Sequence, residues 1–183
     1  MGKSSFKEFV EQKKIVAEDR KKSIDWEKRK KFYLDQVEML YKDVEGFLSE
    51  FKEVTLEREL EEIEEDIIGK YEVPVLHIRL YDKHAALMPA GTNMIGTPGR
   101  VDLVGYFETT RIILTGKNET RPQGATAASC SWLDDDEKLE EIKNQEPQGR
   151  DYVWKIISDP PKIRFNDLNE DNFLNSLQEI LDV

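Results

Sequence analysis

The sequence predicts an α+β fold: a long N-terminal amphipathic helix, an antiparallel β-meander or small barrel, and a C-terminal helix packed on it. Three observations predict it. Residues 26–51 repeat apolar side chains at heptad spacing. Residues 70–133 and 152–156 read as short alternating runs broken by Gly and Pro. Residues 169–181 return to helical spacing behind a good N-cap.

The first helix carries the clearest signal. Trp26, Tyr33, Leu40 and Phe47 recur every seven residues, and Val37, Val44 and Phe51 follow the last three by four. Leu34, Tyr41 and Leu48 lie beside that seam and widen it. So broad a stripe suits docking on a domain core better than the narrow seam of an isolated coiled coil. Gly46 falls off the seam and weakens the helix only slightly.

Upstream, residues 4–22 have a thinner apolar face of Phe6, Phe9, Val10, Val16 and Ala17. Phe9 and Val16 keep the heptad phase of the later seam. Ser23 or Asp25 either caps a new helix or lies within one continuous helix. The expected organisation is a basic helical arm over 1–24 and a single α+β domain over 25–183. An arm that protrudes needs a partner, and dimerisation is the simplest one. Phe6, Phe9 and Val16 are its candidate interaction residues.

Composition sets the class. With 38% hydrophobic and 36% charged residues, the 183-residue chain is polar but can still bury one modest core. The apolar runs are too short for a membrane span. The opening MGKSSFKEFV lacks the apolar core of a secretory signal, and Phe6 spoils a myristoylation pattern. The single cysteine, Cys130, rules out an internal disulfide, and a cytoplasmic setting is expected. The net charge is −11, yet residues up to Lys31 sum to +5, so the remainder carries −16. Such asymmetry can mark a basic arm facing an anionic partner. Mixed runs such as EQKK and EDRKK favour plain solvation of helix faces instead. No membrane partner is expected, and nucleic acid no more than weakly at the arm.

Residues 53–68 fit two readings. Leu56, Leu60, Ile63 and Ile67 have helical spacing, while Val54, Leu56 and Leu60 also fit alternation. Val54-Thr55 favours a strand near 54–60, followed by an irregular acidic turn. In GKYEVPVLHIRLYD, Leu76, Ile78 and Leu80 share one strand face and His77, Arg79 and Tyr81 the other. Pro74 there implies an edge or strand-start position. Further strands are expected near 85–88, at Met94-Ile95, at Val101–Val104, at Arg111–Leu114 and at Thr126–Leu133. Pro98-Gly99 and Gly116-Lys117-Asn118 are turn signals. Residues 134–150 read as a mobile acidic loop. Tyr152, Trp154 and Ile156 alternate in a last clear strand, and Ile163 and Phe165 follow the Pro160-Pro161 break. Asn169 then caps the final helix, with Leu168 and Phe173 placed as a hydrophobic staple.

The run GTNMIGTPGRVDLVG, preceded by LHIRLYDKHAALMP and followed by VWKI and a terminal helix, resembles small bacterial proteins of uncharacterised function over about residues 25–183. The resemblance implies the architecture and the compartment. It brings no activity and no site residues with it. A sheet closed by a C-terminal helix also occurs in pleckstrin-like folds, an analogy of fold alone.

The chemistry is sparse. The glycines of residues 91–100 invite a phosphate-loop reading, but no Lys-Ser/Thr follows them and Arg100-Val101-Asp102 opens a strand. Arg100 and Asp102, two apart, can pair along one strand face as a structural contact or a ligand site. His77 and His84 lack an acid or cysteine at metal spacing, and Cys130 lacks a base nearby in sequence. Asp134, Asp135 and Asp136 lack the spacing of a calcium loop. No Gly-x-Ser-x-Gly, His-Glu-x-x-His or Cys-x-x-Cys motif occurs. No cofactor is expected, and nothing in the sequence argues for an enzyme. Three functions remain in order: a non-enzymatic interaction module, self-associating through its N-terminal helix; an acidic inhibitor or immunity-type protein on a basic partner; and a small-molecule binder using the glycine-rich strands.

Overall fold

The computed structural model describes residues 3–22, 25–65, 68–92, 97–120, 151–158 and 163–182, with α1 side chains from 6 to 15. Among these residues the chain forms three helices and one open antiparallel sheet of seven strands. In order they are α1 (Lys3–Lys22), α2 (Trp26–Leu48), β1 (Val54–Glu65), β2 (Gly69–Leu80), β3 (Lys83–Gly91), β4 (Arg100–Val104), β5 (Thr109–Gly116), β6 (Tyr152–Ile157), β7 (Phe165–Asp167) and α3 (Glu170–Leu181). Spatial order follows chain order, so the sheet is a meander and not a closed barrel. The expected strands at Met94-Ile95 and Thr126–Leu133 and the loop 134–150 lie outside the described residues.

The caps explain where the helices begin. The Asp25 carboxylate accepts from the Lys28 amide at 3.0 Å, so α2 starts afresh and does not continue α1. Asn169 accepts from the Asn172 amide at 2.9 Å and starts α3. Leu168 packs against the same core in which Phe173 is buried. At its other end α2 stops three residues short of Phe51. The amides of Ser49 and Phe51 bond three residues back, to Gly46 and Leu48, which tightens the chain into a turn. Phe51 is left exposed and does not extend the seam.

Two strand boundaries differ from the sequence reading. β1 runs on through its glutamates to Glu65, where an irregular turn was expected, because β2 pairs with it over its whole length. β2 correspondingly starts at Gly69, whose φ of +83° suits a glycine. Pro74 sits in the middle of β2, yet β3 pairs only with Leu76–Leu80. At the level of Pro74 the second side of β2 has no ladder partner among the described residues, so its missing N–H breaks no described ladder there.

α2 and α3 cover one face of the sheet. Tyr33, Val37, Leu40, Tyr41, Val44 and Leu48 of α2 join Phe173, Leu177 and Ile180 of α3 in one cluster. The sheet supplies Leu76, Ile78, Leu87, Leu103, Ile112 and Leu114 to the same cluster. Each such side chain contributes about 1.5–3 kcal/mol through burial. Two tyrosines also carry polar duties. The Tyr33 hydroxyl donates to the Arg100 carbonyl at 2.7 Å and accepts from the Gly91 amide at 3.1 Å. The Tyr41 hydroxyl stands 2.7 Å from the Pro74 carbonyl and 3.0 Å from that of Leu87, where β2 and β3 part. Burial holds both phenols well above their ordinary range, so they remain hydrogen-bond donors.

The described part of the glycine-rich stretch is tied into this packing. A Cβ on Gly99 would stand 2.5 Å from the Tyr33 ring, so only glycine permits the approach. The buried Arg29 guanidinium donates to the Thr92 carbonyl at 3.0 and 3.2 Å. The Thr92 hydroxyl donates to the Pro98 carbonyl at 3.0 Å. The Thr92 amide in turn donates to the Glu65 carboxylate, 3.1 Å from each oxygen. These donors and acceptors serve internal closure.

Candidate functional site

The pleat sends alternate residues of each strand to the sheet's other face, away from both helices. That face carries charged side chains beside the buried Ala86 and Ile113. Arg100 and Asp102 lie there on β4 as spacing predicts, with Arg100 Nε 3.0 Å from Asp102 Oδ1. The contact is close but misaligned, so neither of these buried atoms gains a hydrogen bond. Arg111 of β5 stands directly opposite Asp102. Burial pushes the Asp102 carboxyl above its ordinary range, against the opposing pull of Arg100 and Arg111. A carboxylate between two guanidiniums is charge-compensated.

His77 and His84 meet on the same face. Their rings stack with centroids 5.2 Å apart, and His77 Nδ1 lies 3.1 Å from His84 Nε2. One nitrogen of that pair carries the shared proton. Glu59 of β1 reaches His77 Nε2 at 3.6 Å. The fold thus brings an acid and a second imidazole to His77, where sequence spacing offered neither. No group of three His, Cys, Asp or Glu among the described residues is placed to hold a metal ion.

At one end of the sheet, Lys117, Lys155, Asp167 and Asn169 line a polar hollow of about 530 Å³. Lys155 is 3% exposed, and its ammonium is already engaged. It donates to the carbonyls of Lys117 at 2.8 Å and Glu119 at 2.7 Å, with Asp167 at 3.3 Å. Its three donors are used in tying the turn after β5 to the end of β7.

α1 differs from all of these. Phe6, Phe9, Val10 and Ile15 are 69%, 54%, 48% and 53% exposed. The Phe6 and Phe9 rings lie 6.2 Å apart, and Lys13 Nζ stands 5.9 Å from the Phe9 ring, so the three form one strip. Lys7 and Lys14 border the strip, and Glu8 and Glu11 point away from it on a regular helix. Val16 lies further along α1, outside the described side chains.

A second exposed feature lies on β1. Leu60, in the middle of β1, is 64% exposed and pairs with Pro74. Glu62 and Glu64 follow on the same face, and Glu72 of β2 stands directly opposite Glu62. Lys70 bonds Glu62 at 2.7 Å. Like charges directly opposed across a ladder are destabilising, so this pairing costs the hairpin something. Alternation marks Leu60 in sequence, but the Glu62–Glu72 opposition depends on the register.

The chain matches no family model, no curated protein and no solved structure. The likeness to small bacterial proteins rests on the sequence pattern alone. No described helix is long and apolar enough to cross a membrane.

Proposed function

We propose that the chain is a non-enzymatic protein-interaction module that self-associates through α1. One observation carries this reading: the Phe6–Phe9–Lys13 strip is bare, and none of the described α1 side chains joins the core that absorbs the stripe of α2. Exposed aromatic side chains in a row favour association over solvation. A cytoplasmic setting suits a chain with one cysteine. Light scattering coupled to gel filtration tests the reading on the intact chain and on Phe6→Ser/Phe9→Ser. The expected result is a dimer that the double substitution converts to monomer. An intact chain that stays monomeric at all concentrations sinks the reading, as does a variant that still dimerises.

A second reading, an acidic inhibitor or immunity-type protein, is favoured by the −16 carried beyond Lys31 and by the glutamate row of β1. Its complex with a basic partner would loosen as salt rises. A complex indifferent to salt argues against it.

A further inference from the structure

We infer that the strip of α1 docks on the distal half of the β1–β2 hairpin of a second copy, with the exchange made reciprocally in a twofold dimer. This rests on the self-association proposed above and names the surface that receives α1.

Complementarity carries the inference. The strip is apolar and basic: Phe6, Phe9 and Val10, with Lys13 along Phe9 and Lys7 and Lys14 at the border. Two such strips face to face would bring lysines together around their apolar centre, so α1 repels its own kind. The hairpin surface is the converse, an exposed apolar residue with acids in excess: Leu60, with Glu62, Glu64 and Glu72 on the same face, where Lys70 stands opposite Glu64 and Arg58 is taken up by Glu38 and Glu45. Lys70 engages Glu62, and no ion pair holds Glu64 or Glu72 among the described residues. As the first strand of the sheet, β1 also has an open edge among the described residues, and its glutamates oppose edge-to-edge pairing of two copies. Each surface therefore rejects itself and fits the other. An incoming lysine would relieve the Glu62–Glu72 opposition, which gives that opposition a use.

Dimensions agree. A helix rises about 10 Å from Phe6 to Lys13 and a strand about 17 Å from Leu60 to Glu65, so the strip fits within the distal half of the hairpin. Both elements lie at one end of the domain, because α1 leads into α2, whose Lys30 stands 5.9 Å from the Tyr71 ring near the hairpin tip. A twofold axis there lets each copy give one helix and receive one. Two contacts also double the buried area, which a surface this polar needs to reach the ~1,200 Å² of a specific interface.

The test uses the intact chain and substitutions at exposed positions, with circular dichroism confirming the fold. Leu60→Arg, Glu72→Lys and Lys13→Glu are each expected to weaken the dimer on the order of tenfold or more at low salt. Lys13→Glu combined with Glu72→Lys restores most of that loss. Glu72→Lys alone should raise the melting temperature of the monomer, by ending the Glu62–Glu72 repulsion, while it weakens the dimer; a purely structural role for Glu72 would move both the same way. A dimer that Phe6→Ser/Phe9→Ser breaks, but Leu60→Arg and Glu72→Lys leave intact, seats α1 elsewhere and overturns this inference alone. A dimer that Phe6→Ser/Phe9→Ser leaves intact, or a chain that never dimerises, overturns the self-association reading with it. A monomer whose α1 amides are protected in a Leu60-dependent way puts the helix on its own hairpin and overturns the exchange between copies.

Discussion

α1 and α2 carry apolar stripes in the same heptad phase, yet that of α2 is buried and the described part of that of α1 is bare. The α2 stripe is broad and brings its own hydrogen-bonding groups to the sheet. Tyr33 and Tyr41 reach the carbonyls of Arg100, Pro74 and Leu87, and the buried Arg29 reaches that of Thr92. The α1 stripe has Lys13 in line with its phenylalanines and offers the sheet no such group within the described side chains. Periodicity alone therefore does not decide which helix becomes part of a core. What decides it is whether the stripe can both fill space and satisfy the backbone groups it covers.

That contrast can be broken from either side. The largest effect is expected for Tyr33→Ala, which removes a fully buried ring and the partner of two backbone groups; denaturant unfolding should register a loss of about 3–5 kcal/mol. Tyr41→Phe keeps the ring but strands the carbonyls of Pro74 and Leu87. Its expected cost is about 1–3 kcal/mol by the same measurement, and a neutral result would show that the hydroxyl does not close the gap between β2 and β3. On the α1 side, Phe6→Ser/Phe9→Ser should leave unfolding free energy within about 0.5 kcal/mol at concentrations where the chain is monomeric. A larger loss would mean that α1 belongs to the folded core after all.

The smallest effect concerns pH and the sheet's outer face. Burial holds the His84 imidazole below its ordinary range, and the neighbouring His77 and Arg79 act in the same direction. The folded state then binds a proton less readily than the unfolded one. Stability is fully present above the ordinary imidazole range, about pH 6.5, and falls as pH drops through it. His84→Gln should flatten that slope in stability measured between roughly pH 5 and 8, in a region titrated by imidazole. An unchanged slope would place its origin at other groups.

Much of this fold was legible in the sequence because local chemistry agreed with the final structure. Asn169 and Asp25 cap helices where their types and positions suggested, and Leu76, Ile78, Trp154 and Ile156 face the core as alternation required. The length of β1 was obscured because glutamates favour helix or turn locally, and only pairing with β2 holds them extended. Arg29 and Lys155 gave no sign of burial, since a long cation reads as solvent-facing unless its carbonyl partners are known. The candidate residues divide the same way. Arg100 and Asp102 meet because they share a strand, which spacing can show. Glu59, His77 and His84 meet across three strands, which only register can show. Phe6 and Phe9 were found by their periodicity, whereas the exposed Leu60 and the opposed glutamates beside it became visible only with the hairpin built.

The parting of β2 from β3 at Tyr41 has a mechanical consequence. Beyond that point the hairpin is a two-stranded arm: β2 residues 69–75 pair with β1 alone among the described strands. Its buried apolar side chains, Val73 and Val75, lie outside the main cluster, and the Glu65 carboxylate on the Thr92 amide clasps its far end. Such an arm can lift at its clasp while the rest of the sheet stays paired, a sub-global opening with its own free energy. Amide exchange in β1 and β2 beyond Pro74 should accordingly outpace that of β4 and β5, and clamping this arm from outside would slow it.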